Sequence, residues 1–212
     1  MPIEKYLQKK FHAWFERVGA RGDWRRFYRE IETKYQTPQR AYHTLHGHID
    51  FCVRELYQVP RRLIENINPL ELSLILHDSE MDFMSADNEE RSARFTEDIC
   101  RRMGLSEIFI RQSAIHIRHT DHRGMPIDPD SQLTIDIDLA IFGQAQPVFN
   151  EYERRIRQEY AFVPEDIFRN KRAEILQWFL DKPSIYMTDY FQRKYEDKAR
   201  NNLNRSIVQL RR

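Results

Sequence analysis

The sequence predicts an all-α fold. Apolar residues recur at three- and four-residue steps in almost every segment, and the six Gly and nine Pro fall mainly where that pattern breaks. One stretch, Leu133 to Gly143, alternates like a strand over its first half. It reads as helix, because no second candidate strand exists to pair with it. With 212 residues and 41% hydrophobic positions the chain can bury one substantial core. The expectation is a compact single-domain helical bundle over 1–212. Residues 1–22 form a peripheral N-terminal helix in this reading, and 185–212 a C-terminal helix packed on the core.

The elements run in order. Tyr6, Phe11, Trp14, Phe15 and Val18 give the first amphipathic helix, and Trp24 to Tyr35 the second. Thr37-Pro38 marks a break and restart, since proline suits a first helical turn and not an interior. Ile49, Cys52, Val53 and Leu56 form the next stripe, with His48 one turn before Cys52 at its edge. Asn68-Pro69 opens a helix that is apolar on most sides and closes in His77-Asp78. Asp87-x-x-Glu90 resembles a capping box for a helix that ends at Gly104. Leu105 to His116 is helical, Arg118 to Asp130 a loop, and the helices 149–160, 164–180 and 190–210 complete the chain.

Thirty-four Lys+Arg against thirty-three Asp+Glu leave a net charge of +1, so no chain-wide field draws nucleic acid or an acidic membrane. The basic carboxyl end from Arg193 to Arg212 is interrupted by Glu196 and Asp197, and reads as a solvated helix face. The two cysteines, Cys52 and Cys100, make no metal-type pair and no disulfide framework, which fits a reducing compartment. No apolar run has signal-peptide or membrane-spanning length. A cytoplasmic protein with no membrane or nucleic-acid partner is expected, and self-association is left open.

Chemistry-bearing residues collect in three helical places: His43, His46 and His48; His77 and Asp78; Asp136 and Asp138. A fourth group, His116, His119 and His122 with Asp121, falls where the helical pattern fails. Each residue alone reads equally as a half-buried side chain or a surface pair. Together they are hard to bury separately, and one cation would neutralise the set. Mixed nitrogen and oxygen donors suit Mn, Mg, Fe, Co, Ni or Zn, and do not suit a soft, thiolate-selected metal.

The order His48, His77-Asp78, Asp138 in a helical chain resembles the HD-domain superfamily, in particular its branch of predicted bacterial metal-dependent HD phosphohydrolases. The segments that carry the resemblance are Tyr42 to Ile49, His77 to Asp82, Asp87 to Ala93, Thr120 to His122, Asp136 to Gly143, Ile156 to Pro164 and Ala199 to Leu203. They run from roughly Trp24 to the carboxyl end. The branch has four residues from its first His to its second, whereas His43 to His48 here is five. Such an insertion turns later side chains by about 100°. His48, before Ile49, takes the ligand place; His43 or His46 becomes an outer residue.

The resemblance implies hydrolysis of a phosphate ester of a small, nucleotide-like substrate, by a phosphomonoesterase or phosphodiesterase. His48, His77, Asp78 and Asp138 would hold a divalent cation, one ahead of two. His43, His46 or His122 would protonate the leaving oxygen or hold the phosphate. Asp82 would orient His77 or a water, and Glu89 would orient water or cap its helix. Arg91, Arg118 and Arg157 would recognise phosphate, with surface ion pairs as the alternative. Tyr42, Tyr152, Tyr160, Trp178 and Phe179 read as core aromatics ahead of a base-stacking pocket. Two rival functions share these residues: a di-iron HD-type oxygenase that recruits His119 and His122, and a helical interaction module with a structural or decayed metal site.

Overall fold

The computed structural model describes residues 3–212, with side chains from Tyr6 onward. Among the described residues it is all-helical, with ten α-helices and no strand. The backbone divides into two compact units, Met1–Ile137 and Asp138–Arg212.

In the first unit, α1 (Ile3–Arg17) and α2 (Trp24–Lys34) are joined by a short turn. Helix α1, placed at the periphery on sequence grounds, buries Leu7, Phe11 and Trp14 completely. Phe11 lies 5.5 Å from the Trp14 ring and 5.6 Å from Tyr28 of α2, so aromatic contact ties the two helices. Asp23 caps α2 by accepting from the Arg25 backbone N–H. The restart expected at Pro38 does not occur. Residues 36–44 are turns, and Arg40 holds them by donating to Thr37 Oγ1 at 3.0 Å and to the His43 carbonyl at 2.9 Å.

A π turn over Leu45–Ile49 leads into α3 (Asp50–Leu56). Helix α4 (Ile67–Leu76) starts slightly ahead of the expected Asn68-Pro69, with Asn66 as its cap. Every residue from Pro69 to Leu76 is buried, as its all-round apolar sequence requires. Its one carboxylate, Glu71, is satisfied by Arg17 and by the Tyr57 hydroxyl at 2.8 Å.

Helix α5 (Asn88–Arg102) does begin after Asp87, but the capping box is not made. The Glu90 carboxylate is taken by Arg118 and Arg94, and Asp87 accepts from the Ser85 hydroxyl. At the other end Gly104 adopts φ +72°, the left-handed conformation that glycine reaches without a Cβ penalty, and Leu105 N–H closes on the Cys100 carbonyl. Helices α6 (Glu107–Arg118) and α7 (Pro129–Asp138) complete the unit. Buried Asp130 near the start of α7 accepts from the backbone N–H of Glu65 and Asn66, fastening α7 to the segment that enters α4.

In the second unit a 3₁₀ turn over Leu139–Gly143 is followed by α8 (Gln146–Glu159), α9 (Glu165–Leu180) and α10 (Asp189–Leu210). The strand-like stretch is therefore helix and 3₁₀ turn. Buried Asn202 of α10 donates to the Phe142 and Gln144 carbonyls at 2.7 and 2.9 Å, and the Tyr186 hydroxyl donates to the Leu139 carbonyl at 3.1 Å. Gly143 lies flush against Tyr195: a Cβ there would meet the Tyr195 Cγ at 2.6 Å. Arg157 braces residues 160–165, donating to the Tyr160 and Val163 carbonyls and to Glu165.

No helix among the described residues is long and apolar enough to cross a membrane. Replacing Gly143 by Ala forces an overlap with a packed ring, so a loss of about 1–3 kcal/mol is expected. Chemical-denaturation midpoints of wild type and Gly143→Ala measure it, and an unchanged midpoint would refute the close packing.

Candidate metal centre

The imidazoles of the centre stand in the first unit, where two elements end against each other. Because α4 is apolar all round, its carboxyl end is buried, and His77 at that end is 2% exposed. The His77 Nδ1 lies 3.1 Å from the Leu74 carbonyl one turn back. A carbonyl only accepts, so Nδ1 carries a proton, and Nε2 is the position left to take a proton or a cation. That Nε2 is 3.1 Å from the Nε2 of His48, which is also 2% exposed.

The π turn is what places His48. Ile49 N–H donates to the Thr44 carbonyl at 3.2 Å, and Asp50 N–H to Leu45, each spanning five residues where an α-helix spans four. A π turn is an α-turn widened by one residue, so it absorbs one extra position without rotating the residues beyond it. The five-residue separation of His43 and His48 is accommodated within this stretch, and His48 emerges inward. His43 is half-buried, with its ring centroid 5.6 Å from that of His48. Arg40 fixes this approach, bonding the His43 carbonyl with one guanidinium nitrogen and the Ser79 carbonyl with another. His46 turns to Glu32, with its Nε2 3.8 Å from that carboxylate.

Asp78 is the next residue after His77. Its Oδ2 lies 3.2 Å from His77 Nε2 and 3.6 Å from His48 Nε2, and is buried without satisfying hydrogen-bond geometry to either. Burial alone would raise the Asp78 carboxyl. The imidazoles of His77, His43 and His48 outweigh it and hold the carboxyl well below the ordinary carboxylate range. Cys52, fully buried one turn after His48, brings Sγ to 3.7 and 3.8 Å from the two His48 nitrogens. Asp138 is the last residue of α7, carried by the same helix that Asp130 fastens at its start. Donor atoms of His48, Cys52, His77 and Asp138 all lie within 4.8 Å of one another.

These residues fit a divalent cation. Metal–nitrogen bonds of about 2.0–2.1 Å put ligand atoms roughly 3.0–3.4 Å apart, close to the separations around the two Nε2 atoms. Two imidazole nitrogens and a carboxylate oxygen approach one another in a buried place, and the oxygen has no other hydrogen-bond donor in place. The group of His48, Cys52, His77 and Asp138 could hold a metal ion; Asp78 lies beside its two imidazoles but is not a member of it. Cys52 is the member that sequence reasoning left in the hydrophobic stripe. Its spacing of four from His48 was the available signal.

The remaining predicted residues are not members of this donor group among the described residues. Asp82 is exposed; its carboxylate accepts from the Met84 N–H, and its backbone pairs with Asn88. Arg91 lies 3.7 Å from Glu80 and 4.0 Å from Asp82. Arg118 is held by Glu90 and Glu97. Glu89 and Arg118 border a cavity of about 390 Å³ with Asp87, Glu90, Asp121 and Arg123, where carboxylates outnumber guanidiniums. His122 stands at φ +59° after the 3₁₀ turn His119–Asp121. Neither it nor His119 joins the donor group among the described residues. Buried His116 points Nε2 at Asp128, 3.3 Å away, and burial pushes its pKa down. Asp136 is buried, and the donor group takes Asp138 instead. In the second unit Tyr152 and Phe179 are buried, Tyr160 is half-buried and Trp178 is exposed. Tyr152 accepts from buried Arg172 at 2.6 Å.

Scans of the chain against protein-family models, curated proteins and solved structures find no match.

Two measurements check this geometry. After equilibration with Zn²⁺ and gel filtration, elemental analysis should find near-stoichiometric metal in wild type and little in His77→Ala of equal helix content; full retention would refute the centre. Separately, the hydrogen bond from Arg118 holds Glu90 down to about 2. The ion pair therefore contributes at pH values above the ordinary carboxylate range and is lost as the pH falls toward about 2. A Glu90 side-chain NMR titration should move up in Arg118→Gln, and an unmoved midpoint would refute the pairing.

Proposed function

We propose that the protein is a metal-dependent phosphohydrolase acting on a small phosphate ester. The observation that carries this reading is the approach of His48 Nε2, His77 Nε2 and Asp78 Oδ2 to one another in a buried place, with donor atoms of Cys52 and Asp138 within 4.8 Å of those of the two histidines. A divalent cation held there supplies water of lowered pKa and polarisation of a phosphoryl oxygen. The chain's own residues do the rest. His77, fixed in its tautomer by the Leu74 carbonyl, and His48, set inward by the π turn, hold the cation with Asp78 and Asp138. His43 is the imidazole beside the centre that retains some exposure, which suits it to give a proton to the leaving oxygen. His46, engaged with Glu32, is the weaker candidate.

The substrate is a compact phosphate ester in this reading. Arg91, Arg118 and Arg157 all have carboxylate neighbours, so a nearby phosphate dianion must draw Arg91 or Arg118 from its carboxylates; Arg157 stays with its loop. The ordered resemblance of the segments from Tyr42 to Leu203 supports the same chemistry. The di-iron alternative loses support, since the imidazoles it requires stand outside the donor group among the described residues.

The test is a panel of p-nitrophenyl phosphate, bis(p-nitrophenyl) phosphate and nucleoside 5′-monophosphates, assayed with Mn²⁺, Co²⁺, Zn²⁺ and Mg²⁺. Turnover that needs the cation and falls by at least about a thousandfold in Asp138→Ala, about 4 kcal/mol in barrier, is expected. Metal-loaded protein that hydrolyses none of them would overturn the proposal and leave a structural metal.

A further inference from the structure

We infer that Cys52 is itself a ligand of this centre, and that its thiolate biases the site toward Zn²⁺ or Co²⁺ and away from Mg²⁺ and Mn²⁺. This rests on the metal-centre reading above and adds to it a fifth residue and a preference among cations.

The position of Cys52 is set by the chain. It lies in the first turn of α3, four residues after His48, so the two side chains share a face across the junction of π turn and helix. Its side chain is fully buried, and Sγ lies 3.7 Å from Nδ1 and 3.8 Å from Nε2 of His48. Metal–sulfur and metal–nitrogen bonds of about 2.3 and 2.0–2.1 Å at a tetrahedral angle place sulfur and nitrogen roughly 3.6 Å apart. The sulfur also falls within 4.8 Å of donor atoms of His77 and Asp138, so it joins the cluster as a whole. Cys100 supplies the contrast: it is equally buried, yet sits in the hydrophobic core of the first unit and joins no donor group among the described residues.

The donor set decides the chemistry. Two imidazoles and a thiolate beside the two carboxylates form a borderline-soft set that favours Zn²⁺ and Co²⁺. Magnesium takes oxygen ligands and gains little from sulfur. Ligation replaces the Cys52 S–H bond with a sulfur–metal bond, and the proton leaves to water; no oxidant or reductant takes part. The rival role is an outer one, in which the thiol only hydrogen-bonds the His48 ring and fixes its tautomer.

Cobalt separates the two roles. Wild-type protein titrated with Co²⁺ should show visible d–d bands together with a near-ultraviolet thiolate-to-cobalt charge-transfer band. In Cys52→Ser the visible bands should persist and the charge-transfer band should vanish. By chelator competition, zinc affinity should fall by more than the about 10–100-fold that loss of an outer hydrogen-bond partner costs, with Mn²⁺ affinity unchanged. Visible bands without a charge-transfer band in the wild type would overturn the inference and leave the centre standing. No cobalt spectrum at all would bring down the centre and the inference together. The wild-type spectrum decides the matter even where the Ser variant folds poorly.

Discussion

Two imidazole nitrogens face each other 3.1 Å apart in a water-excluded place, with a carboxylate oxygen beside both. Much of the architecture around them serves that contact. A helix as apolar as α4 must run through the interior, and whatever closes it is desolvated with it. His77 and the Oδ2 atom of Asp78 therefore stay where water does not satisfy them, which is costly unless a proton or a cation shares the space. The Leu74 carbonyl removes part of the freedom to protonate by fixing the Nδ1 proton of His77. What remains is the Nε2 position, a carboxylate and a second imidazole, arranged as a cation requires.

The surroundings hold these groups from several directions. Arg40 joins the turn carrying His43 to the backbone just after Asp78. Asp130 fastens the start of α7 to the segment that enters α4, and the helix carries Asp138 at its other end. In the second unit, Asn202 and Tyr186 bond the 3₁₀ turn that comes after Asp138, and Gly143 lets Tyr195 close on it. These are backbone carbonyls and N–H groups satisfied by buried side chains, so each stabilises its own segment. The Arg172–Tyr152–Glu153 cluster belongs to the same unit; burial pushes the Tyr152 hydroxyl up to about 12, and it stays protonated beside the guanidinium.

The π turn before His48 shows how local geometry serves a site. An uninterrupted α-helix over the same residues would turn His48 by about 100° from its buried face. The π turn widens one hydrogen-bonded loop from four residues to five and keeps the register of everything after it. It also sends the two preceding histidines apart, His43 beside His48 and His46 toward Glu32. An ambiguity between these two residues in the sequence thus becomes a difference in place.

The sequence by itself determined the helical class and most helix limits and offered His48, His77 and Asp138 as donors, because these depend on local periodicity, on glycine and proline at the breaks, and on the cost of burying imidazole and carboxylate near apolar runs. Gly104 ending α5 was legible for that reason. Three features depended on the tertiary structure. Cys52 looks like any apolar stripe residue until His48 and His77 are brought beside it. The capping box at Asp87 is a sound local pattern, defeated by Arg118 from another helix taking Glu90. Pro38 fits a helix start, but Arg40 bonds across to the end of α4 and holds the segment in turns. In each case the deciding partner lies far along the chain, and periodicity in one segment carries no information about it.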